Sequence, residues 1–348
     1  MKTVKNKQSI ENKKGYLSDL KKPPIEMNYD ELNLFLDYLL SHENFPSEIV
    51  YRSDKIHYKR RSMIFIAAKA LYLLARAEIA YQRHIKKKIK EIKNSKEIYR
   101  ALKQTGCLKA IRMYLYLARV GMNDLLNHMQ GRFDEKLFSY FTLATQLYDA
   151  SFDIPECRKY LKDFENFVLT GEIIESDDVL LGTFNTCAKY LKQTLSEKEF
   201  ETFLGLIQIE HFSQLMSIYQ LSDKNISQEG LRKITFSKGG IALLAIVYVM
   251  APKMNEKQKK AIYELGSVLQ IIDDIRDTKE DIDGGIQTLP NQKILTSNEL
   301  KSMFAGTVNN LMEKCGMDSS KPNSTLDMLY WFSESLLEKR YGKFLERE

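Results

Sequence analysis

The sequence predicts an all-α protein, a single bundle of about a dozen helices. Segments with apolar residues at helical spacing dominate the chain, and no convincing alternating strand pattern interrupts them. Only 7 prolines and 16 glycines punctuate the 348 residues, and most fall where a periodic segment stops. With 44 % apolar residues the chain can bury a large core.

Taken in order, the periodicity places helices over Tyr29–Ser41, Lys59–Lys93, Ser95–Leu102, Leu108–Gln130, Asp134–Asp153 and Cys157–Leu169. Further helices follow over Asp178–Thr194, Glu197–Tyr219, Gln228–Met250, Glu256–Asp281, Ser297–Lys314 and Asn323–Leu345. No internal repeat and no obvious linker divides them. Residues 1–50 are therefore expected to form a flexible N-terminal tail and a leading helix, and residues 51–348 one all-α domain.

Composition narrows the function classes. Cys107, Cys157, Cys187 and Cys315 are scattered, without a CxxC pair or a histidine at ligand spacing. Reduced thiols in a cytoplasmic protein are expected, not a disulfide frame or a zinc site. The basic N-terminus lacks the apolar core of a secretory signal. The longest apolar run, Ile241 to Ala251, is too short to span a bilayer. The net charge of +6 is spread along the chain, and no nucleic-acid motif appears. Lys86 to Lys93 (KKKIKEIK) reads as a solvated helix face, with a membrane-surface or anionic-substrate role as the second reading.

The stretch Leu265 to Pro290 carries the chemistry: LGSVLQIIDDIRDTKEDIDGGIQTLP. At about 100° per residue, Asp273, Asp277 and Asp281 fall at roughly 0°, 40° and 80°, and Asp274 and Glu280 at roughly 100° and −20°. Ile271, Ile275 and Ile282 lie on the far side. An acidic helix face is ordinarily solvated. One and two turns earlier, however, this face carries Gln270, Gly266, Tyr263 and Ile262, a set suited to a lined cavity. Carboxylates crowded on a cavity floor repel one another unless cations lie between them. Asp and Glu are hard oxygen ligands suited to Mg²⁺, which also binds phosphate oxygens.

A second acid pair, Asp149 and Asp153, has i, i+4 spacing and so shares one helix face. Pro155 disfavours helix through Ile154, which puts both acids in the last turns. The macrodipole makes carboxylates there unfavourable by roughly 0.3–1 kcal/mol each, and a bound cation would reverse that preference. Thr145, Thr142, Phe141 and Phe138 lie beneath them on the same face. Cations for a phosphate-rich ligand are available at Arg158, Lys159, Lys238, Arg276 and Arg340. Lys238, in FSKGG, stands between apolar stretches, beside two glycines that permit close approach to the backbone.

These residues resemble the class I isoprenoid synthases: trans-prenyltransferases, terpene synthases and squalene or phytoene synthases. Gln270-Ile-Ile-Asp273-Asp274-Ile-Arg-Asp277 is similar to the second aspartate-rich motif of prenyltransferases, and Asp273, Asp277 and Asp281 match the spacing of the terpene-synthase triad. Glu280-Asp281, Gly285 and Thr288-Leu289-Pro290 resemble a region of phytoene synthases. Asp149 to Lys159 reads DxxxDxxxxRK, close to DDxxDxxxxRR with Ala150 in place of the second aspartate. Arg340-Tyr341 is similar to the terpene-synthase RY pair, and Lys238 stands about where prenyltransferases place a diphosphate-binding lysine. The resemblance covers residues 135–345. Elongating enzymes carry a GKxxR-type motif upstream of the first aspartates, whereas Lys59-Arg60-Arg61 lacks the glycine and lies farther away.

The resemblance implies an antiparallel helical bundle around a central apolar cavity, and a prenyl diphosphate substrate. It further implies Mg²⁺, three ions in number, on Asp149, Asp153, Asp273, Asp274, Asp277 and Asp281. Lys238, Arg276, Arg158, Lys159 and Arg340 would hold the diphosphate. Asp149, Asp153, Asp273 and Asp277 would be catalytic through the metals, and Phe138, Phe141, Phe152, Tyr148, Tyr263 and Gln270 would line the cavity. A terpene synthase releasing a cyclised or eliminated product is the expected activity. A prenyltransferase is the alternative, and a non-catalytic helical binding protein the rival of another class. The long apolar helices suit a homodimer, though core packing explains them equally well.

Overall fold

The computed structural model describes residues 22–46, 49, 53, 55–58, 63–93, 96–221, 224, 226–321 and 323–332. Among the described residues there are thirteen α-helices and no β-strand. In chain order they are α1 (Tyr29–His42), α2 (Met63–Ala80), α3 (Lys86–Ile92), α4 (Lys96–Gln104), α5 (Cys107–His128), α6 (Glu135–Asp153) and α7 (Leu161–Thr170). Then come α8 (Val179–Thr194), α9 (Glu197–Ser217), α10 (Gln228–Met250), α11 (Glu256–Asp283), α12 (Ser297–Cys315) and α13 (Ser324–Phe332). The expected Lys59–Lys93 helix is interrupted by a π-turn over Tyr81–Ile85, and residues 59–62 lie outside the described residues. The expected helix from Cys157 begins instead as a 3-10 segment over Pro155–Tyr160, because proline locks φ and removes a donor.

Helix starts follow local chemistry. Asn28, Ser196, Asn255 and Thr296 each cap their helix and in return donate their own backbone N–H to the side chain of Glu31, Glu199, Gln258 and Glu299, respectively. Asp134 caps α6 by accepting from the N–H groups of Lys136 and Leu137, both at 2.9 Å. The four cysteines are free.

α10 lies at the centre, packed on α9 and α11 and touching α5 and α6. By length and composition it is the one described helix apolar enough to cross a membrane, but 78 % of its most apolar stretch is buried in the fold. α6 and α11 flank it and make at most marginal contact with each other. The loop after α11 is tied back to the end of α9: Gln287 N–H donates to Gln220 O at 2.6 Å, and Gln220 Nε2 donates to Gln287 O at 2.9 Å.

The α10–α11 crossing is where the glycines act. A Cβ on Gly266 would stand 2.4 Å from Gly239 O, and one on Gly240 would stand 2.6 Å from both Ser267 Oγ and the Tyr263 ring. Gly239, Gly240 and Gly266 therefore admit the neighbouring helix backbone. The close approach to the backbone expected of the glycines after Lys238 is present, and α11 is the element that makes it.

A helix interior normally gains up to about 1 kcal/mol from Gly→Ala, whereas overpacking against backbone costs about 1–3 kcal/mol. For Gly266→Ala the clash wins, and urea unfolding should show a net loss of roughly 1–2 kcal/mol. Gly182→Ala in α8 meets nothing closer than Ser176 O at 3.5 Å and should be neutral or stabilising. Equal behaviour of the two variants would remove the close crossing.

Candidate active site

α6 carries Asp149 and Asp153 into its final turns, as Ile154 turns extended ahead of Pro155. Gln146 Nε2 donates to Asp149 Oδ2 at 3.2 Å. α11 carries Asp273, Asp274, Asp277 and Asp281, with Ile271 and Ile275 buried behind them. Gln270 packs against Gly239 and donates through Nε2 to Asp274 Oδ1 at 2.9 Å.

Electrostatics shows which of these groups share a space. Burial pushes the Asp149 carboxyl up to about 7; Lys238 opposes the shift and Asp153 adds to it. Asp274 is likewise pushed up to about 7 by burial, against the Gln270 hydrogen bond and Lys238. Asp281 rises to about 6, through burial and then the neighbouring Asp277 and Asp273. Asp153 and Asp273 are also raised by burial, with Lys238 opposing in both cases. The ammonium of Lys238 thus acts on carboxylates from both α6 and α11. It links the two acid groups.

Two members of the site escaped the sequence reasoning. Glu210 of α9 is held well above the usual carboxylate range by burial; Lys238 opposes this and Asp149 adds to it. Its Oε2 is buried without a hydrogen-bond partner among the described residues. The available signal was a lone acid inside the apolar run LGLIQIEHF. Tyr114 of α5 lies near both acid groups: burial pushes its phenol up to about 12, with Asp273 and Asp149 adding to the shift. Nothing in RMYLYLARV marks that residue.

Tyr114 is nevertheless 42 % exposed, and Asp149, Glu210 and Asp274 are only partly shielded from water. α5, α6, α9, α10 and α11 thus each bring a polar or charged group to one region of the fold.

The cationic candidates separate. Arg276 is tied to its own helix, donating to Asp277 through Nε and Nη2 at 2.8 Å each and pairing with Asp273 at 2.8 Å. Arg158 is exposed and acts on Asp153. Lys159 is placed over the Tyr160 ring, 4.9 Å from its centroid. Arg340 lies outside the described residues, as do Arg60 and Arg61.

The aromatic candidates separate too. Phe152 is half-buried and meets Tyr148 edge-on at 5.2 Å. Phe138 and Phe141 are buried against Phe133 and Phe203, and Tyr263 is sealed with its ring stacked on Phe45.

Tyr148 also anchors a buried chain of polar groups. Its Oη is 2.7 Å from His211 Nδ1, and His211 Nε2 is 3.0 Å from Glu165 Oε1, which also accepts from Ile25 N–H at 2.8 Å. This network fastens α6, α7, α9 and the segment before α1 just beneath Asp149.

Asp149, Asp153, Glu210, Asp273, Asp274, Asp277 and Asp281 face Lys238, Arg158 and Arg276, an excess of negative charge. All seven are hard oxygen donors, the chemistry that Mg²⁺ prefers. Among the described residues no group of three acidic, histidine or cysteine side chains stands close enough to hold one ion. Arg276 is the physical reason on α11, since it holds Asp273 and Asp277 to itself. The donor chemistry fits a divalent cation, provided that Arg276 lets go.

No protein-family model matches the chain, and no curated protein or solved structure is similar to it.

Asp149, Asp274 and Asp281 have folded values of about 7, about 7 and about 6, against 3.8 for the ordinary side chain. Between those limits the folded state binds more protons than the unfolded one, so stability falls as pH rises through this window. With chelator present, Tm should drop between pH 5 and 8, and the combined Asp149→Asn and Asp274→Asn variant should show a flatter slope. A wild-type slope matching the variant's would mean that the carboxyls are not held protonated.

Proposed function

We propose that the protein ionises an allylic prenyl diphosphate in a Mg²⁺-dependent reaction, as terpene synthases do. The observation that carries this reading is the convergence of carboxylates from α6 and α11 on Lys238. It agrees with the sequence resemblance of those same residues to the aspartate-rich motifs of class I isoprenoid synthases.

Asp149, Asp153, Asp273, Asp274, Asp277 and Asp281 would hold the metal; three ions is the number the resemblance implies. Bound there, the metal supplies Lewis-acid stabilisation of the departing diphosphate. Lys238 supplies a fixed positive charge between the acid-bearing helices, at the place where the leaving group gains charge. Arg158, beside Asp153, adds a second charge from the 3-10 segment. For Asp273 and Asp277 to serve as ligands Arg276 has to give them up, and its guanidinium is then at hand for the diphosphate.

The hydrocarbon end needs a surface that tolerates a carbocation and excludes water. Tyr114 and Tyr148 lie near the acid groups and Phe152 meets Tyr148 edge-on, and ring faces stabilise cations. Transfer of the cation to a second prenyl diphosphate would make the protein a prenyltransferase on the same residues.

Farnesyl diphosphate with Mg²⁺ should release diphosphate and yield a hydrocarbon or alcohol without a co-substrate. Lys238→Ala or Asp149→Asn should lower kcat/KM by roughly 10²–10³-fold with the melt and helical signal retained. Testing C10, C15 and C20 diphosphates with and without isopentenyl diphosphate distinguishes the two reactions, since product that requires isopentenyl diphosphate identifies transfer. No Mg²⁺-dependent diphosphate release from any of them would leave a helical binding protein.

A further inference from the structure

Among the described residues the most uncovered run of apolar side chains lies along α2. Leu71 is 67 % exposed, Tyr72 60 % and Ile79 50 %, and Ala68 and Ala75 between them are exposed as well. At about 100° per residue these five fall within roughly 100° of arc. They form one apolar stripe facing outward, opposite the buried Leu73, Ala77 and Ala80. Packing on α5 leaves that stripe uncovered.

The stripe leads into a basic one. From the π-turn over Tyr81–Ile85 onward, the exposed residues are Gln82 and five cations, Arg83, Lys86, Lys87, Lys90 and Lys93. The acids of this stretch are neutralised within the fold: Glu78 pairs with Arg112 at 2.7 Å and Glu91 with Lys88 at 3.0 Å. What reaches solvent is an apolar half followed by an uncompensated positive half.

α5 extends the same surface. Arg112 pairs with Glu78, so the next residues, Met113 and Ile79, stand at the same level of the two helices. Met113 is 39 % exposed, and beside it Tyr114, which lies near Asp273 and Asp149, is 42 % exposed.

From this surface we propose that the α2–α3 face docks on an anionic lipid surface. The apolar half enters the boundary between headgroups and acyl chains, and the lysines lie over the headgroup charge. The pairing of uncovered apolar side chains with unneutralised lysines selects this partner. A second copy of the chain would bring five like charges against a basic face, and a neutral partner would leave the lysines unmatched. The proposal does not depend on the isoprenoid reading, although it would put the site's mouth near the membrane.

Co-sedimentation of the full chain with vesicles of phosphatidylcholine alone, and with 30 mol % phosphatidylglycerol added, tests it. The chain should sediment with the anionic vesicles, weakly with the neutral ones, and less as salt is raised. Lys86→Gln, Lys87→Gln and Lys90→Gln together should weaken partitioning roughly 100-fold. Leu71→Ser with Ile79→Ser should weaken it at least tenfold while the charge is untouched. Both variants keep the acid site intact, so their melts and helical signal report whether the fold survives. No sedimentation of the wild type, or full binding by either folded variant, overturns the proposal. A dimer dispersed by Leu71→Ser and Ile79→Ser in a chain that ignores vesicles assigns the face to a second copy instead.

Discussion

A single ammonium group set among carboxylates organises the centre of this molecule. Lys238 opposes the burial of Asp149, Asp153 and Glu210 on one side and of Asp273, Asp274 and Asp281 on the other. One charge cannot neutralise six. Burial lifts the Asp149 and Asp274 carboxyls to about 7, further than the Lys238 charge can offset.

Placing the charges at that spot demands close packing elsewhere. α11 has to lie against α10 with Gln270 beside Gly239, so that Asp274, one turn on, reaches the region of Lys238. Glycines at 239, 240 and 266 permit that approach, while the Tyr263 ring fills the space next to Gly240 and stacks on Phe45. The chemistry of the site and the glycine pattern of α10 are therefore one requirement expressed twice.

Much of this was legible in the chain. Helix ends were set by Pro155 and by polar caps, and the i, i+4 spacing of Asp149 and Asp153 needed only a straight helix to share a face. The acid face of α11 was visible for the same reason. What periodicity cannot report is which neighbour fills a gap. Gly239 and Gly240 read as permitting close approach to the backbone, but that the approaching element is α11 was not legible, because an apolar face looks alike whether it meets a cavity or a core. Tyr114 and Glu210 come from helices without a motif and reach the site through tertiary packing alone. Glu210 at least left a trace, a charge where an apolar helix had no local need of one.

The two walls of the site are held in different ways, and that difference bears on how it would work. Beneath Asp149, Tyr148 joins His211 and Glu165 in a chain of buried bonds that also fixes Ile25, so the α6 wall is tied to three other elements. On α11, the partner of Asp273 and Asp277 among the described residues is the half-exposed Arg276 of their own helix. Exchange of such an exposed pair costs little, about 0–1 kcal/mol, because water replaces what is lost. Disturbing a buried hydrogen-bonded carboxylate costs several times more. On the proposed reading, the helix that bears Asp149 would be the firmer wall, and Arg276 would be the group that has to move.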